Sequence, residues 1–255
     1  MLEKSLQNNI WKFTVMLISN KRIFVAILGA YYLTVPGVTP AVIGTILLIS
    51  TFAGFLLEIP SGYVSDKLGH KQALVTARVM MIISTSLYIF ANDEIFLILA
   101  GIFLSISQAF NSGTASAFLH ETLRALNQED NYTNVMGKAR SIGFAVPIAL
   151  MVLVPFFVSI SYKAPFVLAL VIDIIGFFAV ASLVVPPVTQ EHIDEVGVTN
   201  FKQVMLEGYR FNYLGIAIFT GIVSGVLFST GIYRAVYQVF FRSSNYLVRS
   251  VFWSW

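Results

Sequence analysis

The chain of 255 residues is 57% hydrophobic and only 11% charged, and its formal net charge is +3. A soluble domain carries about 25% charged residues, so this composition excludes a water-soluble globular protein. Cysteine is absent, which excludes a disulfide framework and a thiolate metal site. The basic residues stand beside the ends of apolar segments and do not form clusters, so no nucleic-acid partner is expected.

Seven apolar segments are long enough to cross a lipid bilayer, since an α-helix needs about 20 mostly apolar residues to do so. In chain order they cover residues 10–33, 41–59, 72–91, 95–119, 142–160, 164–185 and 211–233. The segments are continuous and lack the alternating polarity of membrane β-strands. The predicted fold class is therefore an all-α polytopic membrane protein.

The distribution of basic residues predicts the orientation. The loop at residues 92–94, between the third and fourth segments, has no basic residue. Basic residues instead follow the second, fourth and sixth segments, at Lys67, Lys71, Arg124, Lys138, Arg140, Lys202 and Arg210. The positive-inside rule then places the N-terminus and these loops in the cytoplasm, with Lys163 as an exception. The cell membrane is the expected location.

The chain divides by composition into four parts. Residues 1–185 contain six predicted helices, the polar residues 186–210 form a predicted cytoplasmic linker, and residues 211–237 form a seventh helix. Residues 238–255 are predicted to be an irregular tail, because they form no clean span and carry arginines on the predicted outer side. A truncated or frame-shifted ending is the preferred interpretation, and a natural ending is the alternative.

A compact polar turn separates the second and third segments. It reads Gly62-Tyr-Val-Ser-Asp66-Lys67-Leu-Gly69-His70-Lys71. This pattern resembles motif A of the major facilitator superfamily, which lies between helices 2 and 3 of those transporters. Residues 57–62 and the small-residue run 112–117 give weaker support. The resemblance extends over about residues 10–237 and is carried specifically by this one motif.

The resemblance implies a fold and a role for the turn. The fold would be a six-helix bundle of two inverted three-helix repeats plus a seventh transmembrane helix, with the rest of the second half missing from this chain. Gly62 and Gly69 would shape the turn, and Asp66 would be the anion of a latch that closes the cytoplasmic side in the outward-facing state. Lys67 and Lys71 would supply positive charge.

Three further residues around the turn bear on this latch. His70 stands where the family commonly has arginine, and because histidine can be neutral at pH 7 it would weaken this part of the latch. Glu58 and Arg78 flank the turn and are predicted to join its ion-pair network, unless they only reach toward the membrane interface. The alternative for the whole turn is that it only sets topology.

Two departures from the pattern of proton-coupled drug antiporters are visible. The arginine that those proteins often carry three residues before a helix-4 glutamine is replaced by Ser105, ahead of Gln108. Their helix-5 glycine-proline signature is also broken, because Gly143 and Pro147 are separated and are followed by Ile-Ala-Leu. Drug efflux by proton exchange is therefore not indicated.

Asn20, Lys21 and Arg22 interrupt the first apolar segment. A charge at the bilayer centre costs about 2.5–3.5 kcal/mol on insertion scales, so an anionic substrate group, a carboxylate or cavity water should compensate it. Arg22 is the preferred substrate residue, because a guanidinium can bind a carboxylate or phosphate with two hydrogen bonds. The alternative is that residues 1–22 lie on the membrane surface and the first span begins at Ile23.

Three other polar residues lie inside predicted spans. Gln108 and Asn111 are three positions apart and share a helix face, which suits substrate hydrogen bonding or contact between helices. Asp173 is central in the sixth segment and is a candidate proton carrier, or the neutralising partner of Arg22 or Lys163.

The predicted function is secondary active transport of a small solute by alternating access, with an anionic solute and a coupling proton or cation as open options. The sequence contains no nucleotide-binding P-loop, so a gradient and not bound ATP should supply the energy. No cofactor, metal ion or enzymatic activity is expected. The alternatives are an inactive transporter fragment, a seven-helix receptor or sensor and an intramembrane enzyme, although the three histidines lie outside the spans.

Overall fold

The computed structural model describes residues 2–187 and 213–252. Most of the predicted linker and the last three residues lie outside these ranges. Within them the chain forms ten α-helices, with 3-10 turns at Val25–Ile27 and Glu129–Asn131. The helices are α1 (Leu2–Asn20), α2 (Leu28–Tyr32), α3 (Pro40–Leu68), α4 (His70–Phe90), α5 (Glu94–Asn111), α6 (Thr114–Ala125), α7 (Tyr132–Met151), α8 (Val154–Ile160), α9 (Ala164–Ala181) and α10 (Tyr213–Phe252).

The described part of the chain contains several helices that are long and apolar enough to span a membrane. Five satisfy this by themselves: Leu2–Tyr32, Pro40–Glu58, His70–Phe90, Glu94–Ala125 and Ala164–Ala181. A sixth span results if Glu129–Met151 and Val154–Ile160, which are bent by 40°, are counted as one. The all-α, multi-pass membrane fold is therefore confirmed. The seventh predicted segment lies in α10, and the total of seven spans stays a prediction.

Helix α4 lies at the centre of the bundle and packs against α5 and α9, while α1 packs against α7 and α9. Two buried apolar clusters lie at different levels along these helices. One contains Phe24, Tyr88 and Phe166, with the rings of Phe24 and Phe166 stacked at 4.3 Å between centroids. The other contains Phe13 and Leu74. Between the two clusters, α1, α4 and α9 each contribute polar residues to a separate layer.

Three of the predicted continuous spans are broken. The first span breaks after Asn20, where the α-helix gives way to a bend and a 3-10 turn. The fourth breaks at Ser112 and Gly113, because Gly113 has φ +70°, a conformation that favours glycine. The fifth breaks between α7 and α8. Each break leaves backbone carbonyl groups without the N–H donors that an unbroken helix would provide.

The structure corrects the predicted turn of residues 62–71. Helix α3 continues to Leu68 and α4 begins at His70, so that Gly69, with φ +92°, makes the turn alone. Gly62 is helical and does not shape the turn. The helix extends this far because the exposed side chains Asp66 and Lys67 let its last turn leave the apolar region.

Two other boundaries are also corrected. The fifth segment begins at Tyr132 and not at residue 142, so Arg140 lies two turns inside α7. The tail predicted to be irregular from residue 238 is helical through Phe252.

Helix α10 meets the rest of the bundle at the end where α2 and the start of α3 lie. A side chain at Gly29 would overlap the carbonyl oxygen of Ile232, so the absence of a side chain permits this close approach. The hydroxyl of Tyr233 donates to the carbonyl of Pro40 at 2.7 Å. These contacts join the predicted seventh helix to the first two.

Candidate functional site: a buried charge layer and a cationic face

We refer to the polar layer between the two apolar clusters as the charge layer. It is built around Arg22 and Asp173. Nη1 of Arg22 donates to Oδ2 of Asp173 at 2.8 Å, and Nη2 donates to Oδ1 at 2.6 Å. Arg22 is 7% exposed and Asp173 is fully buried. The guanidinium also donates to the Ser19 carbonyl, which the end of α1 leaves without a helical partner. The pair thus has the bidentate geometry that favours arginine over lysine.

Thr85 of α4 gives Asp173 a third donor. Its Oγ1 donates to Oδ2 of Asp173 at 2.7 Å. Arg22 Nη1 lies 3.4 Å from the same Thr85 hydroxyl. One carboxylate from α9 therefore joins the break after α1 to the middle of α4, and this layer fixes the mutual positions of three helices.

Arg78 belongs to this layer too, and not to the turn at residue 69 as predicted. It is fully buried and donates to the Ser19 hydroxyl at 2.8 Å and to the Asn20 amide oxygen. Arg78 lies eight positions after His70, which is about 12 Å along a helix, so it is too deep to reach the cytoplasmic turn. Gly176 allows the approach, because a side chain there would overlap Ser19.

The geometry changes the interpretation of Arg22. Of the compensating groups considered from sequence, the structure supplies the carboxylate Asp173, so both arms of the Arg22 guanidinium are occupied. The alternative in which residues 1–22 lie on the membrane surface is wrong, because Phe13, Met16 and Ser19 of α1 are buried in the bundle. Across the described residues the layer holds two guanidinium groups and one carboxylate.

Lys21 points to a different environment from its neighbour Arg22. Its Nζ lies 3.9 Å from the centroid of the Phe144 ring in α7, and the residue is partly exposed. Arg140 is one helical turn before Phe144 on the same face of α7, and it is exposed. Gly143 makes this contact between helices possible, because it packs directly against Leu17 of α1.

Neither of these cations has a neutralising partner in the part of the chain that the structure describes. Among residues 2–187 and 213–252, no carboxylate lies within 4.0 Å of the Lys21 amine or the Arg140 guanidinium. The two are near enough to repel each other. Sequence reasoning missed Arg140, because it counted this residue as a cytoplasmic charge before the helix. We refer to Lys21, Arg140 and Phe144 as the cationic face.

The other predicted substrate residues lie at the end of α5. Gln108 is exposed, whereas Asn111 is partly buried and its Oδ1 is buried without a hydrogen-bond partner in the part of the chain described. Both precede the break at Gly113. The structure does not join them by hydrogen bonds to the charge layer, and their substrate role stays a prediction.

The turn around Gly69 contains a hydrogen-bonded chain that the sequence did not reveal. Thr114 Oγ1 donates to Ser65 Oγ at 3.0 Å, and Ser65 Oγ lies 2.9 Å from Nδ1 of His70. Nε2 of His70 is 3.2 Å from Oε1 of Glu121, an ion pair when the imidazole is protonated. Although a serine, a histidine and a carboxylate are joined here, Ser65 is only 2% exposed, so no substrate reaches its hydroxyl.

The residues predicted to form the latch have a different environment. Asp66, Lys67 and Glu58 are exposed, and Lys71 is partly exposed. The amine of Lys67 lies 5.0 Å from the centroid of the Tyr63 ring. Within the described ranges, none of these four charged residues forms an ion pair.

Comparison with known families decides the membership of the chain. Residues 13–252, from α1 into α10, match the family described as Major Facilitator Superfamily. The chain belongs to the Major Facilitator Superfamily. A search of curated proteins found no match.

Membership in the Major Facilitator Superfamily confirms the resemblance indicated by residues 62–71. It establishes an integral, multi-pass membrane protein of a transporter family, one whose members bind small molecules and are generally not enzymes. The matched range includes the charge layer, the cationic face and the turn at Gly69. No group of three histidine, aspartate or glutamate side chains in the described segments has the arrangement of a metal site.

Proposed function

We propose that this member of the superfamily is a secondary active transporter that moves a small solute by alternating access. The observation that carries the proposal is the packing of α10 against α2 and the start of α3, at one end of the bundle. Ile232 is buried there, and its carbonyl lies against Gly29. The two halves of such a transporter rock about a site between them, and α10, the part of the second half that the structure describes, meets the first half closely at this end. With the N-terminus in the cytoplasm, the closed end is the outer one.

The state of the cytoplasmic turn is consistent with this proposal. The motif A resemblance implies a latch that engages when the cytoplasmic side closes. Asp66 and Lys67 are exposed and without ion pairs in the described part of the chain, as expected for a disengaged latch. A closed outer end and an open latch are the two features of one inward-facing arrangement. Gly69, Lys71 and Glu58 complete the proposed cytoplasmic gate.

The charge layer has a structural role in this scheme. Arg22, Asp173 and Thr85 tie α1, α9 and α4 together, so that these helices move as one body during the rocking motion. The energy for transport would come from a gradient of an ion or of the solute itself. Asp173 remains a candidate coupling residue, although its partners hold it within the layer and away from solvent.

The latch can be tested with a single reporter thiol, because the chain has no cysteine. Ile232→Cys places a thiol at the closed outer end, and a membrane-impermeant maleimide added outside labels it only when that end opens. Asp66→Asn should slow labelling, since loss of the latch favours the inward-facing state. It should also lower the solute flux in proteoliposomes. Asp130→Asn is the matched control, because Asp130 is also exposed and lies in the 3-10 turn before α7.

Equal labelling rates and fluxes for Asp66→Asn, Asp130→Asn and the parent protein would contradict the latch. Flux is measured by counterflow with a panel of sugars, amino acids and organic anions. Absence of counterflow for the whole panel, together with labelling that no solute alters, would contradict the proposed transport function.

A further inference from the structure

The cationic face carries two positive charges that no carboxylate neutralises among the described residues. Lys21 lies at the break after α1 and Arg140 lies in α7; the Lys21 amine is over the ring of Phe144, one turn after Arg140, and the two cations are near enough to interact. Lys21 lies within the candidate span Leu2–Tyr32, and Arg140 lies in Glu129–Met151, which forms a candidate span together with Val154–Ile160. By contrast with Arg22, neither has a carboxylate partner among the residues described. Two like charges side by side in a membrane-spanning region are costly, and a bound anion would neutralise them.

The chemistry of the two cations is complementary. An arginine guanidinium is planar and can hold a carboxylate or phosphate through two parallel hydrogen bonds, whereas a lysine amine is a compact point charge on a flexible stem. The Phe144 ring gives the Lys21 amine a cation–π contact while no anion is present. Lys21 can leave this ring at little cost when a stronger partner arrives.

The position of the face favours a solute over a lipid. Lys21 is 19 positions from the start of α1, roughly 28 Å along a helix, and 11 positions from the end of α2, roughly 16 Å. Lipid phosphates lie at the edges of a hydrocarbon core about 30 Å thick. An anion in the water-filled cavity of a transporter can reach this depth, and a lipid headgroup reaches it only by distorting the bilayer.

We propose that Lys21 and Arg140 form a binding subsite for the anionic group, a carboxylate or phosphate, of the transported solute. Phe144 positions the Lys21 amine through the cation–π contact. This inference rests on the proposed transport function and assigns its substrate class. It also moves the anion site from Arg22, which the sequence favoured, to the adjacent residue and to Arg140.

Binding can be measured without transport, on the full chain purified in phosphatidylcholine nanodiscs. Lactate, succinate and inorganic phosphate are compared by thermal shift with lactamide and succinamide at constant ionic strength. At least one anion should raise the melting temperature, and its neutral amide should not. The apparent Kd of that anion should rise at least tenfold in Lys21→Gln and in Arg140→Gln, which corresponds to about 1.4 kcal/mol.

Two variants serve as controls. Lys138→Gln should bind as the parent does, because Lys138 is exposed on the opposite side of α7. Lys21→Arg should retain most of the affinity, since it keeps the charge. No shift with any anion, or an unchanged shift in the Lys21→Gln/Arg140→Gln double variant, would overturn the subsite.

The unliganded proteins provide an independent criterion. If the two cations repel each other without a partner, Arg140→Gln should melt at the parent temperature or above it, and Lys21→Gln should melt no lower than Phe144→Leu, which loses the same cation–π contact. Melting temperatures below these limits in both variants would reveal a carboxylate partner within the protein and would overturn the proposal. Stabilisation that requires phosphatidylglycerol in the nanodisc and both cations would assign the site to a lipid phosphate and would overturn it as well.

The subsite and the proposed function can fail separately. Counterflow of a neutral solute without anion binding would refute the subsite and leave the transport function in place. Anion binding that depends on both cations, without counterflow of any solute in the panel, would support the subsite as a binding site and refute transport.

Discussion

Lys21 and Arg22 are adjacent in the chain, yet they occupy opposite electrostatic environments. Arg22 is buried between α4 and α9 and holds Asp173 with two hydrogen bonds. Lys21 is partly exposed and lies over a ring of α7 near Arg140, a second cation without a carboxylate partner among the described residues. A buried cation must have its partner inside the protein, whereas a partly exposed cation can be neutralised by a ligand. The comparison separates the structural charge of Arg22 from the charge that we propose for binding, at Lys21.

The largest expected effect is at the structural charge. Asp173→Ala would leave two guanidinium groups buried without a carboxylate, and we expect a loss of about 3–5 kcal/mol of stability. The measurement is the melting temperature and the folded yield in detergent.

The double variant Arg22→Met/Asp173→Leu is the control and should recover part of the lost stability, because it removes both members of the pair and leaves only Arg78 without the carboxylate. If Asp173→Ala were as stable as the parent, or if the double variant were no better than the single one, the pair would not hold α1 to α9.

An intermediate effect is expected at Thr85. Thr85→Val keeps the shape of the side chain and removes the donor to Asp173, so it should cost about 1–3 kcal/mol. Thr45→Val is the comparison, because Thr45 is at the edge of α3 and its hydroxyl bonds only to its own helix, at the Ala41 carbonyl. A cost at Thr45 as large as at Thr85 would mean that the effect arises from helix propensity and not from the charge layer.

The smallest effect is expected at the cationic face. Phe144→Leu removes the ring under the Lys21 amine, and a partly exposed cation–π contact is worth about 0.5–1 kcal/mol. The melting temperature of the unliganded protein should therefore fall only slightly. A loss as large as that of Asp173→Ala would show that Phe144 supports the fold, and the contrast between the two charges would no longer hold.

The sequence predicted the need for compensation at Lys21 and Arg22, and it offered Asp173 as the partner of Arg22 or of Lys163 without deciding between them. The partner of Arg22 is 151 residues away, so it depends on how α1 and α9 pack, which no local pattern reports. Arg140 was assigned to a loop because charged residues at the start of an apolar segment resemble a cytoplasmic flank. Its position two turns inside α7 follows from a helix that begins earlier, at Tyr132.

The turn at residues 62–71 illustrates the same limit at short range. Composition correctly predicted a bend and a change of polarity, and Gly69 makes that bend. The helix nevertheless continues through Pro60 and Gly62, although neither residue favours a helix, because α3 is held by its packing against α5. Arg78 lies deeper in the bundle than predicted for a related reason, because the depth of a residue within a helix depends on where that helix begins.

The distance between Arg22 and Asp173 along the chain has a consequence for biosynthesis. At translation rates of about 5–20 residues per second, the 151 residues that separate them take roughly 8–30 s to appear. During this interval the first helix carries an uncompensated guanidinium. We expect the nascent first helix to stay beside the insertion machinery until the helix with Asp173 arrives. The first helix and the helix with Asp173 would then be released into the lipid together, late in synthesis.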